Sequence, residues 1–124
     1  MTKNYVKGWM LSGSNPSGYT MKVDTEVFHT GTRSGYLSAN ESAIEGQFGT
    51  MMQIFSAQNW IGNRMKMFCF MKTNNVVKCG AWVRIDKENG DLVGFDNMEN
   101  RSIIGTTDWN YYTIVGCSRR KYSD

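Results

Sequence analysis

The chain has 124 residues, 40% hydrophobic and 13% aromatic, which suits one domain with a real core. Its 14 basic and 11 acidic residues leave a formal charge of +3, and the one basic cluster, Arg119-Arg120-Lys121, sits at the chain's end, so no nucleic acid is expected as a direct partner. Cys69, Cys79 and Cys117 are an odd set without CxxC spacing, which excludes a disulfide framework and a thiol zinc site. No apolar run has the length of a signal peptide or a membrane span, so a cytoplasmic chain without a membrane partner is expected.

In chain order, "SGSNPSG" is a turn, and "TMKVDTEVF" then alternates Met21, Val23 and Val27 against Lys22, Asp24 and Glu26. "HTGTRSG" is a second turn, and it carries His29, read as a structural or surface histidine. "MMQIFSA" sets Met52 and Ile54 against Met51, Gln53 and Phe55. After the turn "NWIGN", the run "RMKMFCFMK" sets Met65, Met67, Cys69 and Met71 against Arg64, Lys66, Phe68, Phe70 and Lys72. "KTNN" reads as a turn before "GAWVRID", where Ala81, Val83 and Ile85 oppose Trp82, Arg84 and Asp86. "KENGD" predicts a type I′ hairpin to "LVGF", because Asn-Gly suits that turn. "DNMENRS" is a last turn before the strand "YYTIV". No segment has a helical period, so the fold class is all-β, a sandwich or jelly roll.

Two of these runs carry mixed faces. Arg64, Lys66, Phe68 and Phe70 share one, and Trp82, Arg84 and Asp86 share the other. Aromatics interleaved with charged groups suit a polar ring: the ring face stacks, and the charges make directional hydrogen bonds. The expected ligand site is Trp82, Arg84 and Asp86, completed by Gln53, Arg64, Asp96 and Asn97. The bland alternative puts Trp82 in the second layer of the sandwich and makes Arg84 and Asp86 a surface pair. Nucleophilic catalysis finds no support, since His29 is the only histidine and no Gly-x-Ser-x-Gly elbow exists. Carboxylates such as Asp86 and Asp96 cannot be placed across a cleft from sequence, so no catalytic residue is assigned. The loop bearing Asp96, Asn97, Glu99 and Asn100 is rich in oxygen, and a structural calcium is compatible with it, although its spacing does not match an EF-hand. No other cofactor is expected.

The stretches "GWMLSGSNPSGY", "GTRSGYLSA", "FGTMMQIFSAQNWIGNRMKM", "GAWVRID" and "LVGFDNMENRSIIGTTDWNYYTIV" together resemble a bacterial family of small galactose-binding-domain-like, jelly-roll modules. Its members occur alone or fused to helix-turn-helix transcriptional regulators. The resemblance covers roughly residues 8–115 and implies a jelly-roll β-sandwich. It carries no secure biochemical activity. The chain departs from the pattern at Ser102, where the family often has Pro, and in "VVKCGAW", which lacks a Trp found in relatives. In the family, the strand after "GTTDW" continues into further strands, whereas here Val115 is followed by "GCSRRKYSD". Reverse-translated with freely chosen codons and read one base later, that tail gives Asp-Val-Pro. The expectation is therefore a module over 1–115 that lacks its C-terminal strands, with a non-native or disordered tail over 116–124. An open strand edge would follow, and with it a homodimer or domain swap. The expected function is non-catalytic binding of a carbohydrate or similar polyol. The alternative is a sensor or interaction domain related to bacterial transcriptional regulators.

Overall fold

The computed structural model describes residues 5–56 and 63–118, and these are all-β apart from single 3-10 turns at Pro16–Gly18 and Glu99–Arg101. The strands fall into two compact units, Met1–Phe55 and Ser56–Asp124.

In the first unit, β1 (Met10–Ser12) is paired antiparallel with a later short strand, Thr50–Met52. Between them β2 (Tyr19–Asp24) and β3 (Ser34–Ala39) form a hairpin, so Thr50–Met52 is β4. Met21 anchors β2 and is buried to 2% exposure. The strand predicted to reach Phe28 stops at Asp24, whose carboxylate accepts the backbone N–H groups of Glu26 (2.8 Å) and Val27 (3.0 Å). This Asx turn offers the backbone an alternative to the ladder. The same two bonds, Val27 first, hold the Asp24 carboxyl below its ordinary range. β3 begins inside the predicted "HTGTRSG" turn and sets Tyr36 opposite Lys22, whose Nζ lies 4.7 Å from the ring centroid. β4 ends at Met52, earlier than predicted. Gly13 is required where it stands: its φ is +110°, and a Cβ there would lie 2.6 Å from the Phe48 carbonyl oxygen.

The second unit holds β5 (Asn63–Cys79), β6 (Val83–Asp86), β7 (Leu92–Asp96) and β8 (Ile103–Ser118). β5 and β8 form one long antiparallel ribbon, and β6 and β7 form a hairpin. The "KTNN" segment does not reverse the chain as predicted. It becomes an irregular stretch within β5, with register shifts between Met71 and Thr73, Thr73 and Val76, and Val76 and Cys79. Asn75 takes a φ of 56°, which asparagine tolerates, so the turn chemistry bends a strand instead of ending it. Side chains patch the interrupted ladder. Buried Thr73 donates Oγ1–H to the Gly105 carbonyl at 3.0 Å and accepts the Thr107 N–H at 3.0 Å, and the Asn75 N–H reaches Thr106 Oγ1 at 2.9 Å.

The β6–β7 turn also differs from the two-residue type I′ prediction. Gly90 N–H donates to the Lys87 carbonyl at 2.9 Å, Lys87 N–H donates to the Asp91 carbonyl at 2.7 Å, and in the loop only Gly90 has positive φ, at +94°. Asn89 instead accepts the Asp91 N–H on its side chain at 3.0 Å, which stabilises a longer loop. β7 carries one extra residue in the ladder, since Ile85 pairs with Gly94 but Asp86 pairs with Leu92.

The core of this unit is Met98, Ile103 and Ile114, with Met71, Cys79, Ala81, Val83 and Tyr112 packed against it. Alternation explains part of the arrangement: Met71 of β5 with Tyr112 and Ile114 of β8 supply one wall, Ile103 and Cys79 join it beyond the register shifts, where the parity of β8 has changed, and Val83 of β6 packs against them. β8 extends beyond Val115, with Gly116 opposite Met65, Cys117 opposite Arg64 and Ser118 opposite Asn63. The "NWIGN" turn, apart from Asn63, and residues 119–124 lie outside the described residues.

Candidate functional site

The outward face of the β5–β8 ribbon follows from strand parity. Lys66, Phe68, Phe70 and Lys72 alternate with the inward residues of β5, and the register sets Phe70 opposite Tyr111, Phe68 opposite Thr113 and Lys66 opposite Val115. Phe68 and Tyr111 have ring centroids 5.6 Å apart at an interplanar angle of 32°, while Phe70 and Tyr111 are 5.5 Å apart at 61°. Both separations are ordinary for attractive aromatic pairs. The three rings make one continuous surface, and Phe68 is 63% exposed, Tyr111 52% and Phe70 39%. Lys72 Nζ pairs with Asp108 at 3.3 Å, while Lys66 has no ion-pair partner among the described residues. The Lys72 ammonium and the Trp109 backbone N–H together hold the Asp108 carboxyl below its usual range, with the N–H contributing most.

The β6–β7 hairpin presents the second predicted face. Arg84 Nε donates to both carboxylate oxygens of Asp86, at 2.9 and 3.3 Å, and both side chains are exposed. Phe95 stands directly opposite Arg84 and is 52% exposed. Trp82, one residue before β6, is half-buried. Asp96 pairs with Val83 in the register, so it lies on the core-facing side of the hairpin, away from Arg84 and Asp86. Gln53 belongs to the first unit and is exposed. Arg64 occupies a ladder position opposite Cys117, but its side chain lies outside the described residues. Of the seven predicted ligand residues, the structure therefore brings Arg84 and Asp86 into contact and sets Asp96 on the other side of the hairpin. Tyr111 and Phe95 complete the two faces. Their residue types were visible in the sequence, but their partners depend on pairing register, which no local pattern encodes.

Asp96 has a different task. Its Oδ2 accepts Arg101 Nη2 at 2.8 Å and the Val115 N–H at 3.2 Å, and its Oδ1 accepts the Met98 N–H at 3.1 Å. Arg101 Nη2 also donates to the Thr113 carbonyl at 2.9 Å. The Arg101 hydrogen bond is the main cause that brings the Asp96 carboxyl down to about 2. The Thr113 C=O and Val115 N–H are the two groups that one residue of a neighbouring parallel strand would engage. The Asp96–Arg101 pair thus occupies the edge of β8 at Ile114 in place of a strand.

The other oxygens of this loop are also engaged. Asn97 Oδ1 accepts the Glu99 N–H at 3.0 Å, Glu99 forms an ion pair with Lys78, and Asn100 Oδ1 accepts Arg101 Nη1 at 2.9 Å. These contacts turn the candidate calcium ligands toward donors of the chain, and among the described residues no three His, Cys, Asp or Glu side chains group as a metal would need. Cys69 and Cys79 are half-buried, and desolvation raises both thiols above their ordinary range, which makes them poor nucleophiles. His29 is exposed and shares a hydrogen bond with Thr30 Oγ1. Among the described residues no helix is long and apolar enough to cross a membrane.

With this geometry in hand, the chain matches no known family model and no solved structure. It does resemble a protein of the helix-turn-helix regulator class. That relative is the uncharacterized HTH-type transcriptional regulator YbfP of Bacillus subtilis (strain 168), 45% identical over 111 residues, or 89% of this chain. The match covers 38% of the relative, so the chain spans well under half of that protein's length.

Proposed function

We propose that this chain is a non-catalytic ligand-binding module of the galactose-binding-domain-like, jelly-roll type, and that its ligand is a carbohydrate or similar polyol. The observation that carries this reading is the continuous exposed surface of Phe68, Phe70 and Tyr111 on a two-stranded ribbon. A pyranose offers an apolar C–H face to such rings and a rim of hydroxyls to the Tyr111 phenol and the flanking lysines. The rings stand on strands rather than loops, so their positions are fixed before a ligand arrives, and little ordering entropy opposes binding. Titrating a panel of oligosaccharides by calorimetry tests the reading. Phe68→Ala should weaken the best binder about five- to thirty-fold, corresponding to about 1–2 kcal/mol of lost ring contact. An unchanged dissociation constant would rule out the ribbon face as the site.

A second reading has its own support. The match to a part of an HTH-type regulator favours a sensor or interaction domain whose occupancy is relayed to a DNA-binding partner. Replacing the matching segment of that regulator with this chain should preserve ligand-dependent operator binding. A chimera that folds and binds DNA with no response to ligand would count against it.

A further inference from the structure

We propose that the ligand of the ribbon face is an acidic saccharide, a uronate-bearing oligosaccharide whose rings lie on Phe68, Tyr111 and Phe70 and whose carboxylate meets Lys66. The proposal rests on the reading of this face as a sugar platform and adds the charge of the ligand. Same-face side chains on a strand recur every ~6.6 Å, so the Lys66 ammonium stands one step beyond the Phe68 ring, within reach of a substituent on a stacked sugar. Lys72, at the other end, is already engaged by Asp108. Lys66 is exposed and has no such partner among the described residues. The remaining positions of the strip, Phe68, Phe70, Tyr111, Thr113 and Val115, carry no acid, and the two carboxylates beside it are each paired with a cation, Asp108 with Lys72 and Asp96 with Arg101.

The same charges disfavour a second copy as the occupant. A two-fold face-to-face pairing with its axis along the strands sets Lys66 against Lys66 of the partner and brings like charges together over apolar rings. An acidic sugar meets the strip with the opposite charge and covers the rings as it does so.

The experiment compares trigalacturonate with its carboxyl-reduced neutral trisaccharide on the full chain. The acidic trisaccharide should bind about three- to five-fold more tightly, the scale of one solvent-exposed ion pair. Lys66→Gln should erase that difference, bringing the acidic trisaccharide to the affinity that the same variant shows for the neutral one. Raising the salt to 1 M, where the Debye length falls to about 3 Å, should do the same. Phe68→Ala should weaken both sugars equally, and circular dichroism of each variant checks that the strands persist. Equal binding of the two sugars, or a preference that survives Lys66→Gln, overturns the acidic assignment while leaving the platform intact. Binding of neither sugar removes the platform itself. Tighter binding of a single-stranded oligonucleotide than of either sugar would replace the saccharide with a stacked polyanion and overturn the proposal.

Discussion

At the residue scale, Met98 is the most constrained position among the described residues. Its side chain is 1% exposed at the centre of the second unit's core, its Sδ lies 3.2 Å from the Ala81 N–H, and its φ of 60° is left-handed. An L residue with a long side chain pays for that conformation, and the burial of its thioether together with the Asp96 bond to its N–H offsets the strain. Met98→Ala keeps the strain and removes the packing, so it should cost about 2–5 kcal/mol in urea denaturation. Phe68→Ala removes a ring that is 63% exposed and should change stability by less than about 1 kcal/mol. The sequence showed the outward parity of Phe68 and Phe70, because alternation along one strand is a local property. It did not show the burial of Met98, which "DNMENRS" hides inside a polar turn signal. A turn residue reaches a core only through contacts that are distant in sequence.

At the element scale, strands were easier to read than their ends. β7 stands where its alternation put it and β6 holds only the end of "GAWVRID", from Val83, while β2 stops early at an Asx turn and β5 runs through "KTNN". In both cases asparagine or aspartate decided the outcome, and the same residue types serve as stop, turn or bulge according to what their side chains can reach. The Asp96–Arg101 pair is an element-scale device, because it ties the end of β7 to β8. Asp96→Ala strips an acceptor from Arg101 and from the Val115 and Met98 N–H groups. It should destabilise by about 1–3 kcal/mol, and Arg101→Ala in a double-mutant cycle should reveal coupling between the two. The pH dependence has a definite sign. The folded Asp96 carboxyl titrates at about 2, below an ordinary aspartate near 3.9, so in that interval the unfolded chain binds more protons. The contribution is full above about pH 4 and fades as the pH falls toward 2. Acid titration of the wild type should therefore show a steeper stability loss in that window than Asp96→Asn.

At the scale of the whole molecule, the all-β class was legible because no stretch carries a helical period. The division into two units was not, since it depends on which strands pair. The chain leaves much apolar surface in contact with water: Val77 is 90% exposed, Ile54 74% and Ile104 70%. Such surface binds hydrophobic dyes and promotes association. Val77→Thr with Ile104→Thr should lower the dye fluorescence of the folded chain and leave the unfolding midpoint within about 0.5 kcal/mol of wild type. Against that tendency stands the carboxylate–guanidinium pair at Ile114. An extended peptide sliding along the free border of β8 finds a long rail of amides interrupted in its last third. To lie across Thr113–Val115 it must evict two charged groups that already satisfy one another. The stub beyond the pair, Gly116–Ser118, is too short to hold a strand for long, and a peptide paired with the rest of the border is stopped there, so a chain with abundant greasy surface offers no unbroken backbone template along β8 of the kind from which fibrils grow.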